Sequence, residues 1–129
     1  FAIDPLDTGW VVFNTYDGEN NYLKIGQFYT QEIPESLENV MTLDTYQGYG
    51  KAAIGITASN RGLRVVYEKE GNICYRRRIG GIWYGPNIWG GGISHNPSIS
   101  IAGDCIHFIW EEWNPFYTKI KTCYCTDRV

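Results

Sequence analysis

The sequence predicts an all-β protein, on the strength of three observations. The chain has 129 residues, of which 16% are aromatic, and it contains ten Tyr and fifteen Gly but a single Met. Apolar residues alternate or run together briefly and then stop at Gly, Asn, Asp or Pro, which is typical of strands rather than helices. Related phrases also recur: Ile25, Ile73 and Ile120 occupy equivalent places, 48 and 47 residues apart.

This recurrence predicts the blades of a β-propeller. A unit of roughly 40 to 50 residues with several short strands forms a small sheet that must pack against its neighbours. We expect a single domain of about three four-stranded antiparallel blades, at 1–50, 51–95 and 96–129. Because propellers close with typically four to eight blades, we interpret the chain as half of a six-bladed ring.

The first unit is predicted to contain four strands, near 1–4, 9–15, 22–30 and 40–44. Residues 17–21, Asp-Gly-Glu-Asn-Asn, supply the turn between the second and third strands. Residues 34–41 have enough helix formers for one helical turn, but Thr42-Leu43-Asp44 soon returns to a strand pattern. We therefore expect a loop at 34–41.

The second unit is predicted to contain strands near 52–58, 62–69, 72–79 and 82–84. Glu70-Gly71-Asn72 is a good signal for a tight hairpin between its second and third strands. The glycines of Gly90-Gly91-Gly92 lack the lysine and the following helix of a nucleotide-binding loop. We expect them to let the backbone pass close to its neighbours.

The third unit is predicted to contain strands near 97–102, 105–112 and 118–126, with no residues left for a fourth. The missing strand must then come from another chain or from sequence beyond this chain, because an open edge is a site for adding strands. The first residue is Phe1 rather than Met. We expect a processed mature form or an excerpt of a longer protein.

Composition bears on the partners and cofactors. The net charge of −3 and the pI near 5.3 argue against nucleic acid, whose binding depends on clustered Lys and Arg. No apolar run approaches the roughly 18 to 20 residues that cross a bilayer, so no membrane span is expected. The close pair Cys123 and Cys125 is a C-x-C without the other ligands of a zinc site. We expect no metal and no cofactor.

The cysteines bear on the compartment. If the last two strands pair across the 113–117 loop, Cys105 falls opposite Cys123 or Cys125, depending on register. A cross-strand disulfide there would indicate an oxidising compartment, and so an extracellular or cell-surface protein. The alternative is four buried thiols in an intracellular chain.

Residues 96–111 carry a family phrase. They begin Asn96-Pro97-Ser98-Ile99 and end, after Gly103 and an apolar alternation, in Trp110-Glu111. This resembles the sialidase-like (BNR-type) propellers, whose blades repeat N-P-S-I, a Gly and then a Trp followed by an acidic residue. The segment 71–83 is similar to their Asp-box, but only its glycines and Trp83 are kept, which implies a structural turn.

The second unit is similar, more weakly, to the fucose-binding propeller lectins. Their blades read R-V-Y-Y, then G-x-I-x-E, a Gly-rich turn and a Trp. Arg64 stands at the matching arginine and Trp83 at the matching aromatic, while Tyr75 occupies the glutamate position. In that family, short chains assemble rings from two or three blades each, which implies assembly of this chain as a homo-oligomer.

The chemistry of these residues favours a carbohydrate ligand over a catalytic site. Sugar rings stack on Trp and Tyr through their C–H faces, while Arg, Asn and Glu bind their hydroxyls. The predicted ligand-binding residues are Arg64, Glu68, Tyr75, Trp83, Trp89 and Trp113.

No catalytic residues are predicted. Sialidase chemistry, as the resemblance implies it, needs three convergent arginines, and consecutive residues at 76–78 of a strand cannot all share a face. Glu111 and Glu112 point apart for the same reason, and the two histidines lack a nucleophilic partner.

The leading hypothesis is therefore a non-catalytic, extracellular, glycan-binding propeller unit that forms a six-bladed ring with a second copy or with the rest of a longer chain. One alternative is a structural subunit of a fibre or surface layer, joined through open strand edges. Another is a fragment of a sialidase-like glycoside hydrolase.

Overall fold

The fold is all-β, as the sequence predicts. A computed structural model of the chain describes residues 1–29, 36–47, 54–59, 62–102 and 105–125. Within these ranges eleven strands form three antiparallel sheets, and no helix is present. None of the described segments therefore offers a helix able to cross a membrane.

The strands follow one another in sequence order across each sheet. Sheet one contains β1 (Ala2–Ile3), β2 (Thr8–Tyr16), β3 (Asn20–Tyr29) and β4 (Glu38–Gln47). Sheet two contains β5 (Ile54–Ser59), β6 (Gly62–Lys69), β7 (Asn72–Ile79) and β8 (Ile82–Trp89). Sheet three contains β9 (Ser94–Ala102), β10 (Cys105–Trp113) and β11 (Thr118–Cys125), with β10 in the centre.

The expected hairpin between β6 and β7 is present. Lys69 pairs with Asn72, and the two residues between them have φ angles of 52° at Glu70 and 73° at Gly71. Two positive φ angles in a two-residue loop follow the right-handed twist of the paired strands. A Cβ at Gly71 would lie 2.3 Å from the carbonyl oxygen of Gly92, so this turn also requires glycine for close packing.

Sheet two lies between the other two sheets, and its strand β6 and the first half of β7 are buried on both faces. One core joins sheets one and two; its fully buried members are Trp10, Leu23, Ile25, Leu43, Leu63, Val65, Tyr67 and Cys74. The other joins sheets two and three through Val66, Ile73, Tyr75, Ile99, Ile106, Phe108 and Trp110. Alternation along β6 thus sends successive residues to opposite cores, which explains why Val65, Val66 and Tyr67 are apolar in succession.

The first strands of the three sheets are neighbours. β5 contacts both β1 and β9, while β9 also contacts β6 and β7.

The outer faces of sheets one and three keep apolar side chains at the surface of the described chain. On sheet three, Ile109 and Ile120 are 43% and 69% exposed.

Several boundaries differ from those that the sequence predicts. β8 continues to Trp89 rather than ending near 84, because a register shift between Tyr75 and Arg77 lets it pair with β7 along its whole length. β9 begins at Ser94, three residues early. β4 begins at Glu38, inside the expected loop at 34–41, and residues 34 and 35 lie outside the described ranges.

The alignment that predicted a disulfide is corrected by the register of β10 and β11. Cys125 pairs with Ile106 and Cys123 with Phe108, so Cys105 stands opposite neither. Cys105 is a free, exposed thiol, whereas Cys74 is free and buried.

Candidate functional site

Three connections meet at one end of sheets two and three. The β8–β9 connection joins the β6–β7 turn, since Ser94 N donates to the carbonyl of Gly71 at 2.7 Å. It also joins the end of β10, since Trp113 N donates to the carbonyl of Ile93 at 2.8 Å. Five side chains gather here, and we call them the His95 cluster: Glu68, His95, Asn96, Glu111 and Trp113.

An imidazole and a carboxylate join the two sheets in this cluster. His95 Nδ1, on β9, lies 2.8 Å from Oε1 of Glu68, on β6. A carboxylate oxygen only accepts, so Nδ1 donates and the neutral ring presents Nε2 as an acceptor. Both side chains remain partly accessible, at 27% for His95 and 22% for Glu68.

Asn96 connects Glu68 with a second carboxylate. Its backbone N–H donates to Glu68 Oε2 at 3.3 Å, and its side-chain Nδ2 donates to Glu111 Oε2 at 3.1 Å. The strand register shifts between Ile109 and Glu111, and Asn96 has a φ of 53°. Such a bulge redirects side chains, and asparagine tolerates this backbone conformation better than most residues.

Trp113 is the exposed aromatic of the cluster. Its Nε1 donates to Glu111 Oε2 at 2.6 Å, and its ring centroid lies 4.5 Å from that of His95, with a tilt of 39°. The side chain is nevertheless 46% exposed. The indole is therefore held in place while much of its surface stays open to solvent.

The cluster leaves two atoms available to a ligand. Both hydrogen bonds to Glu111 end on Oε2, and within the described ranges no donor contacts its Oε1. His95 likewise uses Nδ1, and no partner occupies Nε2 in the same part of the chain. Both available atoms are acceptors when the imidazole is neutral.

The β10–β11 loop borders the cluster with further aromatics. Asn114 Oδ1 accepts from the backbone N–H groups of Phe116 and Tyr117 at 2.8 and 2.9 Å, which fixes the loop as an Asx turn. Lys119 Nζ lies 4.7 Å from the centre of the Tyr117 ring. Hydrogen bonds from Lys119 and Asn114 lower the pKa of the Tyr117 hydroxyl.

A separate polar network joins sheets one and two. The carboxylate of Asp44, on β4, accepts from the Tyr67 hydroxyl at 2.5 Å and from Lys69 Nζ at 2.8 Å. Burial alone would raise the pKa of Asp44, but these hydrogen bonds outweigh burial and lower it. Burial and the bond to Asp44 raise the pKa of Tyr67, whose oxygen also accepts from Arg76 Nε at 3.3 Å.

Two of the predicted ligand-binding residues lie inside the protein. Arg64 is 2% exposed and donates through Nη1 to the carbonyl of Leu63 at 3.3 Å. Tyr75 is 1% exposed and packs edge-on against Phe108, with 5.0 Å between ring centroids. Both side chains are thus buried, and their assignment to a ligand site stays a prediction.

Two predicted tryptophans also pack against cores. Trp89 stacks on Tyr75 at 5.5 Å and on Trp110 at 6.4 Å between sheets two and three. Trp83 packs against the core of sheets one and two, with its Nε1 buried and unpartnered among the described residues. Of the six predicted residues, Glu68 and Trp113 belong to the His95 cluster, whereas Tyr75 and Trp89 stack on each other in the core.

The arginines of β7 do not converge. Arg78 lies over the Trp10 ring at 5.1 Å and Arg76 donates to Tyr67, both toward sheet one. Arg77 lies 5.8 Å from the ring of Tyr84. Arg61 and Arg128 are outside the described residues.

The sequence interpretation missed His95, Asn96 and Glu111 as members of a site. One signal was available: Glu111 and Trp113 are two residues apart on one strand, so their side chains share a face. The meeting of His95 with Glu68 depends on how two sheets pack, and no local pattern contains it.

The described residues include no group of three His, Cys, Asp or Glu side chains that could hold a metal ion. Comparison of the chain with protein-family models, with curated proteins and with solved structures gives no match.

Proposed function

We propose that the chain is a non-catalytic propeller unit that binds carbohydrate at the His95 cluster. The observation that carries this proposal is the exposed indole of Trp113, which Glu111 anchors at 2.6 Å beside His95. An immobilised aromatic surface suits the C–H face of a sugar ring, and it loses little conformational freedom on binding.

The polar atoms beside the indole suit sugar hydroxyls. Glu111 Oε1 and His95 Nε2 accept hydrogen bonds, and a hydroxyl is a donor as well as an acceptor. Phe116 and Tyr117 extend the aromatic surface along the adjoining loop, whose backbone Asn114 fixes. Aromatic side chains with a few convergent polar groups are typical of sites that orient a small ligand.

A propeller arrangement is supported by how the sheets stack. Each sheet packs face to face on the next, and the neighbouring first strands β1, β5 and β9 are where strands around a common axis would stand. In that arrangement three blades leave a ring open. We propose that a second copy, or further sequence of a longer chain, completes six blades.

The test of carbohydrate binding is calorimetric titration with a panel of neutral and charged oligosaccharides. We expect Trp113→Ala to weaken the binding of the best sugar at least about tenfold, because stacking and apolar burial are lost together. Tyr84→Ala is the matched control, since Tyr84 is 45% exposed but lies on β8, outside the cluster. An unchanged affinity in Trp113→Ala, or no binding to any sugar, would overturn the proposal.

A further inference from the structure

We propose that the sugar taken by the His95 cluster is an amino sugar, with a free ammonium group on the ring. This inference rests on the proposed carbohydrate function and narrows it to one class of ligand. Three observations support this inference: Glu111 Oε1 and His95 Nε2 have no partner among the described residues, carboxylates lie beside them, and the face of the Trp113 ring is exposed.

The open atoms of the cluster favour a ligand that carries hydrogen-bond donors. Glu68 is occupied on both oxygens, by His95 and by Asn96, while Glu111 keeps Oε1 open because both of its donors converge on Oε2. When the imidazole is neutral, its bond to Glu68 places the proton on Nδ1 and leaves Nε2 as a second acceptor. An ammonium group offers three donors and no acceptor, which matches a site that presents acceptors alone.

The charges near the cluster also favour a cationic ligand. Two carboxylates, Glu68 and Glu111, meet at Asn96. The nearby cations are engaged elsewhere: Lys69 binds Asp44 at 2.8 Å, Lys121 lies 3.6 Å from Glu112, and Lys119 lies over Tyr117.

An acidic sugar would meet the like charges of Glu68 and Glu111.

Trp113 is suited to contact both the sugar ring and the ammonium group of such a ligand. The indole face accepts the C–H groups of a sugar ring, and it also attracts a cation within about 6 Å of its centroid. One side of the ring lies against His95 at 4.5 Å, and the exposed remainder adjoins Glu111, its hydrogen-bond partner. An ammonium group between Glu111 Oε1 and the indole would satisfy both.

The experiment compares three oligosaccharides of equal length by calorimetry, at a pH that keeps the amine protonated. They are a glucosamine oligomer, its N-acetylated counterpart and a uronic acid oligomer. We expect the glucosamine oligomer to bind about tenfold more tightly than the N-acetylated one, because the ammonium makes a charge-assisted hydrogen bond. We expect no binding of the uronic acid oligomer.

A matched pair of variants locates the effect. Glu111→Gln should abolish the preference for the free amine while weakening the binding of both oligomers, because the amide has no charge and its single acceptor oxygen is needed by Trp113 and Asn96. Glu112→Gln, on the adjacent position of β10 and paired with Lys121 instead, should keep the preference. Near-ultraviolet circular dichroism of both variants checks that the aromatic packing is intact.

The outcomes separate the two proposals. Equal binding of the amine and its N-acetylated counterpart, or tighter binding of the uronic acid, would overturn the amino-sugar inference and leave carbohydrate binding standing. Binding of tetramethylammonium as tightly as the glucosamine oligomer would also overturn it, since the sugar would then contribute nothing. Absence of binding to all three oligosaccharides and to the wider panel would overturn the proposed function itself.

Discussion

Asn96 lies between two carboxylates that come from different sheets. Its backbone N–H reaches Glu68 on β6, and its side-chain amide reaches Glu111 on β10. Each bond to an ionised carboxylate is stronger than a bond between neutral groups. The left-handed backbone of Asn96 is thus tied to the geometry of the whole His95 cluster.

Asp44 gives the first prediction at the residue scale. Its folded-state pKa is depressed, so its stabilising effect is fully present above the unfolded value near 4 and is lost as the pH falls through the folded value. We expect Asp44→Asn to lower the free energy of unfolding at neutral pH by about 2 kcal/mol. The variant should also lose less further stability than the wild type on acidification.

Urea unfolding at a series of pH values measures this effect. Glu38→Gln is the matched control, because Glu38 is an exposed carboxylate at the start of the same strand. It should leave both the neutral stability and the acid dependence of the protein unchanged. Parallel acid profiles for wild type and Asp44→Asn would show that the Asp44 network adds no pH-dependent stability.

The candidate site could be predicted from the sequence only in part. Composition indicated aromatic and acidic ligands of a sugar, and this reasoning reached Glu68 and Trp113. Arg64 and Tyr75 are predicted because their positions match a motif. Alternation along β6 and β7, however, turns both toward the face of sheet two that packs on sheet three, and both are buried. The partners of Glu68 come from β9, and their approach is decided by the stacking of sheets rather than by any local pattern.

At the scale of elements, the strands were largely predictable. Period-two alternation ended by Gly, Asn or Pro located every described strand, and the glycine turn at 70–71 set the register of β6 with β7. The extents of β4 and β8 were underestimated because bulges let pairing continue where the pattern breaks. Such irregularities depend on the neighbouring strand and are therefore absent from the strand's own sequence.

The core between sheets two and three gives the second prediction. Phe108 is fully enclosed and contacts Tyr75 and Trp89 edge-on, at 5.0 and 5.1 Å between centroids. We expect Phe108→Ala to destabilise the protein by about 3 to 5 kcal/mol, because it removes apolar burial and leaves a cavity. Phe116→Ala is the matched control, since Phe116 is 91% exposed. Similar thermal unfolding of both variants would contradict the packing described for sheets two and three.

At the scale of the molecule, the two end sheets differ from the middle one. Sheet two is covered on both faces, whereas Val11 and Phe13 of sheet one alternate with core-facing Trp10 and Val12 and so lie on its outer face. On sheet three, Ile109 and Ile120 lie on the face opposite Phe108 and Trp110. Sheet three also has three strands among the described residues, which leaves β11 at its margin. Each of these faces therefore carries apolar side chains, which on sheet three stand among polar ones such as Ser98 and Ser100.

Assembly of two copies gives the last prediction. In a six-bladed ring each copy would place the outer face of sheet three against the outer face of sheet one of its partner, which would bury Ile120. We expect light scattering to give a dimer at micromolar concentration and Ile120→Lys to give a monomer, because burying an unpaired ammonium is strongly unfavourable. Ile88→Lys, at a 63% exposed position of the middle sheet, should remain a dimer. A monomeric wild type would contradict completion by a second copy. Polymers that grow with concentration would favour strand addition at β11 over a closed ring. An open strand edge sets no geometric limit on the number of copies that join, whereas a ring closes at a fixed number.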